Sequence, residues 1–331
     1  MTKDLIWELT KELRRIRCIF IFVALFICSN SLLLHSQQRN ILFYNVENLF
    51  DVKNDSLKQD DEFLPNGVRH WSFSKYQQKL FNIAQVIFES DGFNLPMLVG
   101  MCEVENKAVL NDLIFKTGLS NVNYFPIHIE SPDLRGIDVA LLYKKDLFTI
   151  DSVEAIPVVF EAPARPTRDI LHVFGVTNDS IGLHIYINHW PSRYGGVMQT
   201  HQKRIKAANV LAQSIQQVYK KDADAKFVVM GDFNDNPDDE SLKDLVQKAE
   251  LVNLSSSKNG SIKHKHAWYL FDQFLVSENL QSKSSFRIID FPYLLEKDET
   301  NSGFKPKRTY LGYKYHGGYS DHLPIMLSLD F

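Results

Sequence analysis

The chain has 331 residues, 44% hydrophobic and 23% charged, with a formal net charge of −3. That is the make-up of an ordinary globular protein, long enough for one large α/β domain or two small ones. The charge excludes the global basic field of a protein that binds nucleic acid by attraction alone.

Residues 1–36 carry five Lys/Arg against three Asp/Glu, so the remainder is more acidic than the whole. Lys11, Arg14, Arg15 and Arg17 precede an apolar run over 18–34. A basic region followed by an apolar run reads as a secretory signal, with Ser36 as a small residue near a cleavage point. An uncleaved membrane anchor is the alternative, although the run is short for a comfortable span. The expected location is therefore secreted or periplasmic, or membrane-anchored through this segment. Of the cysteines Cys18, Cys28 and Cys102, a processed protein keeps only Cys102, which leaves no disulfide framework and no cysteine metal site. Residues 37–331 show no repeat, low-complexity tract or linker and read as one domain.

Residues 41–44 read as a strand, after which Asn45 and Glu47 alternate onto one face. Residues 51–70 are polar and read as a surface loop. Leu80, Ile83, Ala84 and Ile87 keep helical spacing, so 74–89 is a helix. Residues 96–101 form a second strand that runs into Cys102, Glu103, Val104 and Glu105, and Asn106 caps a helix to about residue 117. Strands follow at 123–129 and 139–143, with a turn carrying Arg135 and Gly136 between them. Residues 183–188 alternate cleanly, with Leu183, Ile185 and Ile187 on one face.

The loop HWPSRYGG comes next, and 199–219 is an amphipathic helix. The run FVVMGDFNDNP at 227–237 is a buried strand that stops at Gly231 and leaves Asp232 and Asn234 on a polar turn. A short helix at 240–249, a strand at 271–276 containing Asp272, and a final strand at 324–329 after Ser320, Asp321 and His322 complete the chain. Residues 281–285 and 305–314 are polar and read as exposed.

The recurring pattern is a strand whose end carries an acid, an amide or a histidine: Asn45/Glu47, Glu103, Asn188/His189, Asp232/Asn234 and Asp321/His322. Carboxylates and amides without cysteine are hard oxygen ligands that suit Mg²⁺ or Mn²⁺. No HExxH or paired-histidine zinc spacing is present.

The segments NVEN, CEVEN, RGIDVALLY, INHWPSR, GDFNDNP, DQFLVS and SDHLPI, in this order over nearly all of 40–331, make the chain resemble the endonuclease/exonuclease/phosphatase superfamily, also called DNase I-like. The resemblance implies a four-layered α/β sandwich of two packed, mainly antiparallel sheets flanked by helices, with the active site in loops at one edge. It implies Glu103 as principal metal ligand, with Asn45, Glu47 and Asp321 beside the metal; Glu47 stands where relatives often have Asp. It further implies Asp232 as the group that aligns or deprotonates water, Asn234 and His322 as phosphoryl contacts, Asp272 as the carboxylate orienting His322, and His189 as proton donor to the leaving oxygen. Arg135 and Arg193 are candidate bidentate phosphate clamps, with Arg165 and Arg168 weaker ones. Asp138 is a candidate buttress, and His184 has no counterpart.

The expected activity is Mg²⁺- or Mn²⁺-dependent hydrolysis of a phosphoester, first a nucleic-acid phosphodiester. The alternative is a phosphatase or phosphodiesterase acting on an inositol phosphate or a lipid head group, and a catalytically dead binding module ranks last. A local basic patch at Arg193, Lys203, Arg204 and Lys206 offsets the acidic net charge in the nuclease reading. No obligate protein partner is evident.

Overall fold

The computed structural model describes residues 39–92, 94–161, 164–255 and 260–331; the N-terminal basic and apolar segment lies outside them. Strand β1 (Arg39–Leu49) shows how the layers of the unit Arg39–Leu329 arise. It is buried on both faces. Leu42, Tyr44 and Val46 join a core with residues of helices α1 (Phe73–Glu89) and α2 (Lys107–Phe115). The alternate residues Ile41, Phe43 and Asn45 point the other way, because successive strand side chains change face. On that face lies a second sheet: a Cβ added at Gly100 would stand 2.7 Å from Met230 Cε and 3.2 Å from the Phe43 ring.

The first sheet has the order β3 (Tyr124–His128), β4 (Asp138–Lys144), β2 (Leu98–Val104), β1, β12 (Ile325–Leu329), β11 (Ser284–Ile288). The second has the order β5 (Phe148–Ile156), β6 (Ile170–Thr177), β7 (Gly182–His189), β8 (Phe227–Asp232), β10 (Asp272–Ser277), β9 (Leu251–Asn253). Each has one parallel pair at its centre, β1/β2 and β7/β8, and antiparallel neighbours outward from it. Parallel neighbours need a long crossover, supplied by α1 and by α3 (Val197–Tyr219). Helices α3 and α4 (Glu240–Ala249) cover the outer face of the second sheet through Phe227, Val229, Leu211, Ile215 and Leu245. The helix–sheet–sheet–helix order is the DNase I-like sandwich. Each fully buried aliphatic or aromatic side chain in these layers contributes about 1.5–3 kcal/mol.

Local chemistry sets the element boundaries. The Ser72 side chain caps α1, and Asn106 caps α2 by accepting from the amides of Ala108 and Val109. Gly231 is required by close approach, since a Cβ there would lie 2.4 Å from the Asn188 carbonyl oxygen. That approach lets β7 and β8 reach their shared end in register.

Residues 281–285 are largely exposed, as expected, although 284–288 form edge strand β11. The expected exposure of 305–314 is corrected. Within 305–314, Thr309 and Tyr310 are buried because their amides satisfy the buried Glu47 carboxylate. Neither pairing leaves a local hydrophobic period. Among the described residues no helix is long and apolar enough to cross a membrane.

Candidate active site

One row of three strand ends forms the second sheet's share of the site. His189 closes β7, Asp232 closes β8 and Asp272 opens β10, and the register pairs His189 with Asp232 and Asp232 with Asp272. By alternation their side chains join the inter-sheet face. The first sheet adds Asn45 from β1, Glu103 from the end of β2, and His322 just ahead of β12.

These groups converge on one oxygen. Asp232 Oδ2 accepts from Asn45 Nδ2 at 3.0 Å, with His189 Nε2 at 3.7 Å and His322 Nε2 at 3.8 Å. Asp232 Oδ1 accepts from the Asn234 amide at 3.0 Å. On the far side of His322, Nδ1 lies 2.6 Å from Asp272 Oδ2. Ser320, the first residue of the SDHLPI segment, to which the sequence attached no role, binds both sheet-one partners. Its hydroxyl donates to the Asn45 carbonyl at 2.7 Å and accepts from the His322 amide at 3.1 Å. A serine two residues ahead of a site histidine is the local signal that was available.

Burial and neighbouring charge together separate the titrations of the three central groups. Asp232 is pushed up to about 7 by burial and then by the Asp272 charge, against the pull of His322. His322 is buried, which alone would lower it, but Asp272 and Asp232 hold it well above the ordinary imidazole value. His189 is held well below that value by burial, then by Arg168 and Arg135. At neutral pH, His322 is therefore a cation beside Asp272 and Asp232, with Asp232 midway through its titration, and His189 is neutral. The Nδ1 atom of His189 is buried without a hydrogen-bond partner among the described residues.

Glu103 sits at a bulge between Cys102 and Val104 with φ +63°. Its Oε2 accepts from the Asn48 amide at 2.9 Å, and its Oε1 lies 3.5 Å from Asn45 Nδ2 and 4.0 Å from His189 Nε2. Burial and then the Asp321 charge push its carboxyl up. Among the described residues no lysine or arginine pairs with it. Glu47, Asn48 and Asn234 also take left-handed backbone, at φ +50°, +58° and +52°. Such residues cost on the order of 1–3 kcal/mol each and persist where surrounding structure holds them. Here four lie at one site.

Glu47 stands behind this row. It accepts from the Thr309 amide at 2.6 Å, and Arg308 Nε lies 3.5 Å away. Arg308 Nη2 also reaches Asp321 at 2.7 Å. The buried Lys79 donates to Thr309 Oγ1 and to the Tyr319 carbonyl, both at 2.6 Å. Burial pulls it down to about 8 against the attraction of Glu47 and Asp321. Glu103, Asn45 and Asp321 lie toward one end of the first sheet, and the partly exposed Glu103 carboxylate, with no lysine or arginine partner among the described residues, suits a hard divalent cation.

Asn234 turns its amide to the Trp190 carbonyl at 3.1 Å. Arg135 grips Asp133 through Nε and Nη2 and leaves half its side chain exposed. Arg168 is buried, donating to Asp133 and to the carbonyls of His189 and Trp190. Arg193 is engaged by Asp235, Asp239 and the Asn234 carbonyl. Arg204 is fully buried on Asp235. The expected patch of Arg193, Lys203, Arg204 and Lys206 is thereby corrected: the buried Asp235 draws two of its members inward. Asp138 accepts from the Ser131 amide and lies 3.2 Å from His128 Nε2. His184 Nδ1 shares a hydrogen bond of 2.9 Å with His172 Nε2. Cys102 lies on the inter-sheet face with a ligand atom within 4.8 Å of those of His189 and Asp232, which spacing alone did not reveal. Burial pushes its thiol well up, so it stays protonated and packs as a small apolar group.

Comparison with known proteins gives this geometry a family. No curated protein matches the chain. Among solved structures it is similar to an endonuclease/exonuclease/phosphatase family protein from Bacteroides thetaiotaomicron, with 16% identity, 88% of this chain and 98% of that chain covered, and a TM-score of 0.57. It is similar to a Bacteroides thetaiotaomicron mannosyl-6-phosphatase, with 16% identity, 88% and 100% coverage and a TM-score of 0.55. It is similar to truncated TDP2 from Caenorhabditis elegans, with 13% identity, 90% and 100% coverage and a TM-score of 0.56. At these identities the likeness is one of fold. The model of the Endonuclease/Exonuclease/phosphatase family matches residues 40–330. A match of that extent, on a sandwich with this strand order, makes the chain a member of the endonuclease/exonuclease/phosphatase family, whose enzymes are phosphoester hydrolases.

Proposed function

We propose that this protein is a divalent-metal-dependent phosphoester hydrolase, using Mg²⁺ or Mn²⁺, with nucleic-acid phosphodiesters as its preferred substrates. The observation that carries the reading is the convergence of Asn45, His189 and His322 nitrogens on Asp232 Oδ2, beside the unneutralised Glu103. Each residue then has a physical task. Asp232 accepts a proton from the attacking water, and the Asn234 amide holds its other oxygen so that Oδ2 faces the site. His322, kept charged and oriented by Asp272, offers an N–H to charge developing on the phosphoryl oxygens. His189 is neutral at rest and contributes a hydrogen bond to the leaving oxygen rather than a stored proton. Arg135 keeps an exposed guanidinium edge for a non-bridging oxygen. A cation held by Glu103, with Asn45 and Asp321 beside it, would supply Lewis-acid polarisation of the phosphoryl oxygen. The basic-then-apolar N-terminus supports a secreted or periplasmic setting, with membrane anchoring as the alternative.

A second reading is favoured by one observation. A cavity of about 230 Å³ beside Glu47 and Asn48 is lined by Arg69, Trp71, Arg308 and Tyr310. Its size and mixed aromatic and polar walls suit the head group of a small phosphoester, in keeping with the mannosyl-6-phosphatase among the similar structures.

The test is turnover by the metal-free protein resupplied with Mg²⁺ or Mn²⁺. The substrates are plasmid DNA, RNA, phosphomonoesters and lipid head-group diesters, beside Asp232→Ala and His322→Ala. Metal-dependent nucleic-acid cleavage lost in both variants is the expected result. Turnover confined to small esters moves the protein to the second reading, and silence on all substrates overturns both.

A further inference from the structure

A second cavity, of about 300 Å³, adjoins the site on the side of Arg135. The loops ahead of β4 and β6, the loop after β7 and the first turns of α3 enclose it. Its lining includes four cations, Arg135, Arg165, Arg168 and Lys203, against one acid, Asp133. Asp133 is spent on Arg135 and Arg168, at 3.0 and 3.1 Å. Among the described residues Arg165 and Lys203 have no ion-pair partner. Positive charge gathered in a cleft calls for an anion.

Thr167, only 5% exposed, forms part of the same wall. The cavity also touches the catalytic centre, because Arg168 in its wall donates to the carbonyls of His189 and Trp190. Lys203 Nζ stands 5.8 Å from the centre of the Phe160 ring, and the Tyr194 ring beside it is 93% exposed. The cavity beside Glu47 differs, because its arginines are already paired, Arg69 with Glu62 and Arg308 with Asp321 and Glu47.

We propose that the Arg165–Lys203 cavity is a second phosphate subsite, which binds a phosphate of the substrate other than the one being hydrolysed. The substrate is then a molecule with at least two phosphate groups. This rests on the phosphoester-hydrolase reading for the catalytic step. Successive phosphates of a nucleic-acid strand and the two phosphates of a small bisphosphate share this chemistry.

The test compares the full chain with an Arg165→Ala/Lys203→Ala double variant, both sites lying outside the catalytic cluster. Substrates are bis(p-nitrophenyl) phosphate, a 5′-phosphorylated tetranucleotide and a sugar bisphosphate. The expected result is a KM raised about tenfold on a substrate with a second phosphate, with kcat kept and the single-phosphate diester changed less than about twofold. An effect on the tetranucleotide assigns a strand, and an effect on the bisphosphate assigns a small molecule. Equal effects on all three, or none, overturn the subsite. Binding of a phosphorothioate tetranucleotide is measured separately from turnover. Binding about tenfold weaker in the double variant without any turnover keeps the subsite and discards the hydrolase reading. Unchanged binding discards the subsite.

Discussion

The two sheets have the same strand pattern, one central parallel pair with antiparallel neighbours, yet they carry different chemistry. The first ends in oxygens: Asn45, Glu47, Glu103 and Asp321, backed by Lys79 and Arg308. The second ends in a row of titratable groups, His189, Asp232 and Asp272, lined up by register. His322 crosses the divide, since it lies just ahead of the first sheet's strand β12 and bonds to Asp272 of the second. The difference teaches that strand register alone aligns the second row, whereas the first needs left-handed turns and a bulge at Glu47, Asn48 and Glu103. A cation site needs converging oxygens, and a plain strand end presents only one side chain to a face.

The comparison breaks most sharply at one residue from each sheet. Glu103→Gln and Asp232→Asn should each lower kcat/KM by about 10³-fold or more. Only Glu103→Gln should raise the metal concentration needed for half-maximal rate. Equal metal dependence in both variants would erase the division between the sheets.

Next in size is the support of the second row. Gly231→Ala puts a methyl against the Asn188 carbonyl oxygen. It should destabilise the fold by about 2–4 kcal/mol, seen as a lower midpoint in urea. An unchanged midpoint would show that β7 and β8 can part without cost. Asp272→Asn keeps the shape but removes the charge that holds His322. A kcat loss of about 10- to 100-fold with unchanged metal dependence is expected. A shift in metal dependence instead would place Asp272 with the first sheet.

The smallest effect is graded by pH. Asp232 is an acid with its pKa raised to about 7, so its basic form fills as pH rises through that value. Log kcat/KM should climb with unit slope below about pH 7 and level above it. The same shift means that the folded state holds the proton more tightly than the unfolded one. This contribution to stability is complete below the ordinary carboxylate value near about 4 and is lost as pH rises through about 7. The metal-free protein should therefore lose stability between pH 5 and 8 through this group, and Asp232→Asn should flatten that part of the profile. A slope unaltered in the variant would assign the loss elsewhere.

Much of the second row was legible because it follows from local pattern. The run before Gly231 reads as a buried strand, and the alternation at 183–188 carries His189 to its end. The helices at 74–89 and 240–249 stand where spacing puts them. The first row was legible as residue types but not as an arrangement. Nothing near Glu47 signals that the amides of Thr309 and Tyr310 bury its carboxylate, because that contact spans most of the chain. Lys79 looks like one more polar position on an amphipathic helix, yet it is buried against Thr309 and Tyr319. Arg193 and Arg204 look free for phosphate until Asp235 folds beneath them. Long-range pairing of charge leaves no periodic trace.

The measurement that tests the central claim most directly is single-turnover hydrolysis of a phosphodiester by the metal-free protein, before and after Mg²⁺, beside His322→Ala. His322 is the group that both sheets hold. The account predicts turnover only with metal, and a rate lower by about 10³-fold in His322→Ala with the metal requirement unchanged. Turnover that needs no metal, or that survives the loss of His322, would contradict it.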